Sequence, residues 1–254
     1  MLLTGKRGII FGVANQHSLA WKIAQRCAAH GAHLAIAYQN ERFAEKVNAL
    51  ARELPEAFTL QCDLNHDDEI AQVARTLQER WGQVDFMAHC VAYALREELT
   101  GRYLDTSREG FKIALETSVY TFVAATRALE PILSDGASLL TLTYLGSERV
   151  VPGYNVMGVA KAALEASVRY LAYELGERQI RVNALSPGPV STLAARGIRG
   201  FTSMLEYVRH HAPFKRDTDP DEVGDAAVFL FSEMGRGITG EVIYVDVGYH
   251  ILGM

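Results

Sequence analysis

The chain has 254 residues, 49% of them hydrophobic and 22% charged, enough for one large α/β domain or two small ones. A membrane protein and a secreted one are not expected, because no apolar run could cross a bilayer and the N-terminus lacks a small-residue cleavage site. The net charge of −5 argues against general nucleic-acid binding, which needs a basic field. Three widely spaced cysteines, Cys27, Cys62 and Cys90, predict buried thiols in a reducing cytoplasm, not a disulfide framework or a zinc site.

Strand and helix patterns alternate along the chain. Runs rich in Val, Ile and Leu predict strands at Arg7 to Val13, His33 to Tyr38, Phe58 to Cys62, Val84 to His89, Ser138 to Thr143, Ile180 to Leu185 and Glu241 to Val247. The helices predicted between them run from Ser18 to about His30, Glu41 to Glu53, Asp67 to Trp81, Ser107 to Leu133, through Lys161 to about Glu177, and from Asp219 onwards. Helices between apolar strands predict a parallel sheet covered on both faces. With no linker visible, we expect one doubly wound α/β domain over residues 1–254.

The first strand leads into a loop that predicts a phosphate site. Gly12 would let the backbone approach a pyrophosphate, and a helix that starts at Ser18 would supply N–H donors. The usual Gly-x-Gly-x-x-Gly fingerprint is absent. An ordinary turn glycine is therefore the alternative for Gly12.

The next strands end in polar residues at the edge where a doubly wound sheet binds ligands. Gln39 could hydrogen-bond a ribose or adenine, and its neutrality together with Arg42 leaves NADPH open while favouring NADH. Asp63 could accept from the adenine amino group, or simply suit the start of the following helix. His89 is either a core histidine or a base.

The segment from Tyr144 to Lys161 carries the most specific pattern: a tyrosine, nine residues, Tyr154, six residues and a lysine. If Tyr154 and Lys161 share a helix, their side chains are separated by about 700° of rotation and lie on one face. An ammonium beside a phenol favours the phenolate and improves the hydroxyl as a donor. Packing is the alternative for an isolated tyrosine at this spacing.

With these residues in place, the chain resembles the short-chain dehydrogenase/reductases and, more narrowly, the bacterial NADH-dependent enoyl-acyl carrier protein reductases. The resemblance covers essentially the whole chain. It is carried by the segments 12–20, 108–114, 140–146, 154–161 and 240–246. The common short-chain pattern is Tyr-x3-Lys, but Met157 stands four residues before Lys161. The six-residue gap therefore separates the enoyl reductases from ketone and alcohol reductases of the same fold.

The resemblance implies a Rossmann-type fold, with a seven-stranded parallel sheet and a substrate-lid insertion before the last helix and strand. It assigns Tyr154 to the thioester carbonyl, Lys161 to the nicotinamide ribose, and Tyr144 and Ala94 to positions beside the substrate. The cofactor positions that it implies are Gly12, Ser18, Leu19, Gln39, Asp63, Leu64, Val91, Lys161, Val190, Ser191, Thr192, Leu193 and Ala194. It also implies a cytoplasmic homotetramer that acts in fatty-acid elongation on an enoyl chain carried by acyl carrier protein.

The lid is expected at about residues 190–211, where Gly197 and Gly200 could allow motion and four apolar side chains could line an acyl groove. Those side chains are Ile198, Phe201, Met204 and Leu205. The acidic carrier protein predicts a basic rim, for which the candidates are Arg196, Arg199, Lys215 and Arg216; ordinary solvated charges are the alternative. The chain departs from familiar relatives at Thr202 and Ser203, where those have basic residues, and at Ala92, where they usually have glycine.

Two other functions stay open. The first is a reductase of ketones, including 3-ketoacyl thioesters, against which Met157 counts. The second is a dinucleotide-binding regulator without turnover, which the presence of both Tyr154 and Lys161 disfavours.

Overall fold

The computed structural model describes residues 1–192 and 201–253. Its strands are β1 (Arg7–Phe11), β2 (His33–Tyr38), β3 (Phe58–Gln61), β4 (Val84–His89), β5 (Leu133–Leu142), β6 (Arg181–Pro187) and β7 (Val242–Val245). They form one sheet in the order β3-β2-β1-β4-β5-β6-β7, and every pairing is parallel. The predicted seven-stranded parallel sheet is therefore confirmed. The strand order reverses between β1 and β4, and doubly wound sheets bind ligands at such a point.

Helices cover both faces of the sheet. They are α1 (Leu19–Ala29), α2 (Glu41–Ala51), α3 (Asp67–Trp81), α4 (Arg108–Leu115), α5 (Thr121–Leu129), α6 (Val156–Leu175), α7 (Phe201–His211) and α8 (Pro220–Phe231). Two apolar clusters fill the layers, one containing α3, α5 and α6 and the other α1 and α8. Both clusters contain fully buried strand side chains, such as Ile9 in the first and Ile10 in the second, as expected when a parallel sheet is covered on both sides.

The long helix predicted from Ser107 to Leu133 is wrong in two places. A π-helical turn, Glu116–Tyr120, separates α4 from α5, and a 3-10 turn, Glu130–Ile132, ends the helical stretch. Pro131 lies in that last turn, where its ring and missing N–H oppose further helix. Strand β5 then begins at Leu133, five residues before the predicted start at Ser138.

Other element ends move by one or two residues, which is the usual uncertainty of a boundary. Of the cysteines, Cys27 and Cys62 are buried, whereas Cys90 is only partly buried, and none forms a disulfide in the described chain. No helix between residues 1 and 192 or between 201 and 253 is both long and apolar enough to span a membrane.

Candidate active site

A cavity of about 980 Å³ opens at the carboxyl ends of the strands. Most of the predicted site residues line it: Gly12, Ser18, Leu19, Gln39, Asp63, Leu64, Val91, Ala94, Tyr144, Tyr154, Lys161, Val190 and Thr192. Ser191 is exposed and is not among the lining residues. Leu193 and Ala194 lie outside the described residues. The cavity therefore joins residues that follow six different strands.

The loop after β1 has the geometry of a phosphate cradle. Gly12 has φ +97°, and a Cβ there would lie 2.3 Å from the carbonyl oxygen of Cys90, so both its conformation and its surroundings require glycine. Ser18 is the N-cap residue of α1, but its hydroxyl donates to the carbonyl oxygen of Asn15 (2.6 Å) and makes no capping bond. The uncapped first turn of α1 lines the cavity through Leu19 and Ala20, which suits the pyrophosphate of a dinucleotide.

Gln39 and Asp63 are joined at the ends of β2 and β3. Gln39 Nε2 donates to Asp63 Oδ2 (3.0 Å), while the backbone N–H and the side-chain amide of Asn65 donate to Asp63 Oδ1 (3.0 and 2.8 Å). Burial raises the pKa of Asp63, but these hydrogen bonds from Asn65 and Gln39 outweigh it and leave the pKa below its ordinary value. An ionised carboxylate therefore lines the cavity.

The premise that Tyr154 and Lys161 share a helix is wrong. Helix α6 begins at Val156, with Asn155 as its N-cap residue, and Tyr154 lies in the turn before it, where its N–H donates to the carbonyl oxygen of Val151 (3.0 Å). Both side chains nevertheless line the same cavity. The six-residue spacing therefore acts through a helix start, not through helical periodicity.

Lys161 is a buried cation, with 5% of its surface exposed. Its Nζ donates to the carbonyl oxygen of Leu142 at the end of β5 (2.7 Å). Burial lowers the pKa of Lys161 from 10.5 to about 8, and the nearby Cys90 and Glu165 partly oppose that shift. An ammonium has three donors, so those not directed to Leu142 can serve the hydroxyls of a ribose.

The two tyrosines pack edge to face, with ring centroids 5.0 Å apart and an interplanar angle of 71°. Burial raises the pKa of Tyr154, and Tyr144 adds to the shift. Burial likewise raises the pKa of Tyr144, with Tyr249 and Asp246 contributing. The expectation that Lys161 would favour a Tyr154 phenolate is therefore wrong, because desolvation dominates. Tyr154 stays a protonated donor.

Two glycines that sequence reasoning missed shape the seat of Tyr154. A Cβ on Gly146 would lie 2.5 Å from Tyr154 Cδ1, and a Cβ on Gly158 would lie 2.7 Å from the carbonyl oxygen of Gly146. The tyrosine ring and the first turn of α6 thus pack directly on the backbone that follows β5. Both glycines lie within eight residues of Tyr154 in the sequence, but that proximity does not by itself predict that the ring packs on Gly146.

His89 is a core histidine. It is fully buried, with Nε2 2.9 Å from Thr121 Oγ1 and Nδ1 3.1 Å from Thr141 Oγ1. Both hydroxyls also lie within hydrogen-bond distance of carbonyl oxygens, Thr121 of Thr117 (2.7 Å) and Thr141 of His89 (3.2 Å), so each ring nitrogen has a hydroxyl partner in the core. Burial, followed by the charge of Lys161, lowers the pKa of His89 to about 3, which excludes it as a base near neutral pH.

The predicted lid is partly described. Phe201 and Met204 of α7 line the cavity, and the Tyr144 hydroxyl donates to Met204 Sδ (3.3 Å). Leu205 is partly buried but does not line the cavity. The remaining lid candidates, Gly197, Ile198 and Gly200, lie outside the described residues. Helix α7 thus forms part of the cavity wall beside Tyr144.

Two of the four candidates for the basic rim lie among the described residues. Arg216 is paired with Glu222 (2.6 Å), and Lys215 Nζ donates to the carbonyl oxygen of His210 (2.8 Å). Arg196 and Arg199 are not among the described residues. Ala92 is exposed and lines the cavity.

A dinucleotide cradle, a buried lysine and protonated tyrosines on one cavity define a nicotinamide-dependent oxidoreductase of the short-chain dehydrogenase/reductase class. The family model for enoyl-(acyl carrier protein) reductase matches residues 12–250. The chain is 50% identical over 253 residues to enoyl-[acyl-carrier-protein] reductase [NADH] 1 of Rhizobium meliloti, covering 100% of this chain and 93% of that protein. It is 49% identical to the enoyl-[acyl-carrier-protein] reductase [NADH] of Bacillus cereus, covering 99% of each.

Among solved structures, the crystal structure of the enoyl-[acyl-carrier-protein] reductase (NADH) of Aquifex aeolicus superimposes with a TM-score of 0.97 at 46% identity and covers 100% of both chains. The chain belongs to the enoyl-(acyl carrier protein) reductase family. The resemblance inferred from the Tyr154 to Lys161 segment is therefore confirmed.

Proposed function

We propose that this chain is an NADH-dependent enoyl-acyl carrier protein reductase that reduces the trans-2 double bond of fatty enoyl thioesters, with Tyr154 as the hydrogen-bond donor to the thioester carbonyl. The predicted reaction, on a CH–CH bond with NADH, agrees with the named activity of relatives that are about half identical to this chain over 93–99% of their length. The acyl carrier protein as substrate carrier follows from the same relatives.

One observation in the site carries the choice of reaction. Met157 lines the cavity four residues before Lys161, where ketone reductases of the Tyr-x3-Lys pattern have their tyrosine. A thioether has no proton to donate to a ketone oxygen. Tyr154 lies three residues further from the lysine, outside α6, and brings a phenolic donor to the same cavity. This favours an oxyanion donor for a conjugated carbonyl over reduction of a ketone.

When bound, NADH supplies the hydride for the reaction. Reduction at the carbon β to a thioester builds negative charge on the carbonyl oxygen. A Tyr154 whose pKa is raised keeps its proton and can donate a hydrogen bond to that oxygen as the charge develops. Lys161, fixed to Leu142, holds the ribose and adds a positive potential beside the site. Met204 and Phe201 cover the substrate side and limit the access of water.

The test is NADH oxidation with a trans-2-enoyl thioester, run in parallel with NADPH and with a 3-ketoacyl thioester. We expect turnover of the enoyl substrate with NADH alone. Tyr154→Phe should lower kcat by about 10²–10³-fold, the usual effect of losing one oxyanion donor, while NADH affinity survives. Lys161→Ala should weaken NADH binding instead. Turnover of the ketoacyl substrate alone would overturn the assignment.

A homotetramer acting in the cytoplasm, as one domain over residues 1–254, completes the proposal. A single sheet that contains all seven strands supports one domain. Exposed aromatic side chains on α6, Tyr170 at 73% and Tyr173 at 87%, offer apolar surface for assembly. Sedimentation of the purified chain at several concentrations tests the oligomeric state.

A further inference from the structure

Asn155, the residue between Tyr154 and the first residue of α6, has an unusual backbone. Its φ is +40° and its ψ −121°, a backbone conformation that residues other than glycine rarely adopt. Such a conformation is strained and persists only where surrounding contacts hold it. It is also the point at which the chain turns out of the helical path. The position of Tyr154 therefore depends on what holds Asn155.

The side chain of Asn155 is anchored to a different segment. Its Nδ2 donates to the carbonyl oxygens of Glu98 (3.2 Å) and Gly101 (3.4 Å), at the end of the 3-10 turn Arg96–Leu99. That turn flanks the cavity, which Arg96 and Leu99 line. The side chain of Asn155 thus bridges the start of α6 and the loop that follows β4.

The anchor is itself fixed. Glu98 is 8% exposed, and its carboxylate accepts from the backbone N–H (3.1 Å) and the hydroxyl (2.5 Å) of Ser107, the N-cap residue of α4. The Ser107 hydroxyl in turn accepts from the N–H of Gly110 (2.9 Å). The carbonyl that receives the Asn155 amide therefore belongs to a residue held at both its backbone and its side chain.

We propose that Asn155 is a positioning residue for the reaction: its amide, bonded to Glu98 and Gly101, maintains the strained turn that places Tyr154 outside α6 and against Gly146. This rests on the proposed role of Tyr154. If φ of Asn155 relaxed to the helical region, α6 would gain a residue at its start and the phenol would leave its seat. Misplacement of a reacting group by about 1 Å can cost about 10²-fold in rate.

Three substitutions at Asn155 distinguish the effect of its backbone conformation from the effect of its side-chain hydrogen bonds, the anchor. Asn155→Gly accepts the positive φ but loses the anchor, whereas Asn155→Ala loses both. Asn155→Asp keeps the shape but points carboxylate oxygens at two carbonyl oxygens, so its donors are lost. We expect kcat with an enoyl thioester to fall by about tenfold to a hundredfold in Asn155→Ala and Asn155→Asp, and less in Asn155→Gly, with the Kd for NADH within about twofold of wild type.

The decisive measurement is a double-mutant cycle with Tyr154→Phe. If Asn155 acts through the phenol, Asn155→Ala should cause no further loss of kcat once that hydroxyl is gone. Gln179→Ala is the matched control, because Gln179 also has a positive φ (+57°) and donates its side-chain amide to a backbone carbonyl, that of Gly176 (3.2 Å). It lies beyond the far end of α6, so its loss should lower Tm slightly and leave kcat unchanged.

The inference would be overturned if Asn155→Ala lowered kcat by the same factor in the Tyr154→Phe background as in wild type. Wild-type kcat in both Asn155→Ala and Asn155→Asp would also overturn it. So would a loss of NADH affinity as large as the loss of kcat. If Asn155→Ala does not fold, the cycle is run with Asn155→Gly, which is spared the backbone strain. Failure of the proposed function has a different signature: wild-type protein binds NADH but turns over no enoyl thioester. Additive losses in an active enzyme reject only the role of Asn155.

Discussion

Lys161 makes cofactor binding depend on pH in a direction that its environment determines. Burial lowers the pKa of its ammonium from 10.5 to about 8, although the nearby Cys90 and Glu165 oppose part of that shift. The protonated form has two donors beyond the bond to Leu142 and a positive charge, whereas the neutral amine has one such donor and no charge. We therefore expect the affinity for NADH to fall as pH rises through about 8. From one pH unit below that pKa to one unit above it, the protonated fraction drops about tenfold, which is the upper limit for the loss of affinity.

The cofactor-free protein should respond in the opposite sense. Because the folded pKa lies below the unfolded value, the unfolded chain binds the additional proton between about 8 and 10.5. The penalty of burying the charge is therefore fully present below about 8 and is removed as pH rises across that window. The shift corresponds to about 3 kcal/mol in the free energy of unfolding. Rising pH should thus stabilise the empty protein while it weakens NADH binding.

The assay is calorimetric titration of NADH across this pH window with wild type, Lys161→Arg and Lys161→Met. Arginine keeps its charge throughout, so its profile should be flat even if its affinity is lower. Methionine should bind weakly at every pH. In urea unfolding of the cofactor-free proteins at neutral pH, Lys161→Met should raise the free energy of unfolding above that of wild type, because no charge is buried. The unpaired carbonyl of Leu142 should offset part of this increase. The difference between the two proteins should shrink as pH rises. A wild-type NADH affinity that is flat across the window, like that of the arginine variant, would refute the reasoning.

Two further predictions concern the cofactor half of the cavity. Gly12→Ala should lower the free energy of unfolding by about 1–3 kcal/mol or more in urea titrations, because it combines a positive φ with an overlap against the carbonyl of Cys90. Gly82→Ala, with φ +78° but open space around its Cβ, isolates the conformational part, and an equal loss in both variants would contradict the overlap. Asp63→Asn should weaken NADH binding about fivefold, by loss of a charged acceptor, and should raise the ratio of NADPH to NADH affinity by removing a negative charge near a 2′-phosphate. An unchanged ratio in fluorescence titrations would place the 2′ position away from Asp63.

The parts of this fold that the sequence predicts are those with a short-range signal. Apolar runs between helical patterns are sufficient to locate all seven strands, because a strand buried on both faces leaves an uninterrupted hydrophobic segment. The side of the sheet that carries the site follows from the same pattern, since the residues after each strand of a parallel sheet meet at one edge. Gly12, Gln39 and Asp63 therefore reach one cavity although they are distant in the chain.

What escaped prediction depends on contacts between distant segments. Tyr154 lies outside α6 because of the turn at Asn155. The amide of Asn155 donates to the carbonyl oxygens of Glu98 and Gly101, more than fifty residues earlier, and no local sequence pattern predicts these bonds. The pKa of Tyr154 is governed by burial, which a spacing of residues does not reveal. The π-helical turn after α4 also leaves no signal in the sequence, because the residues around it have ordinary helical periodicity.

The same burial has opposite and complementary effects on the two side chains that define this site. Desolvation penalises whichever form is charged, so it keeps the phenol of Tyr154 protonated and brings the ammonium of Lys161 to a pKa of about 8, where a small change in its surroundings alters its charge. A negatively charged dinucleotide entering the cavity would favour the ammonium and so offset part of its burial penalty. The empty protein therefore carries two local destabilising features, a buried cation and a strained Asn155. The first is relieved by cofactor binding and the second is held by the fold itself, so NADH should raise the pKa of Lys161 without changing the backbone of the Tyr154 turn.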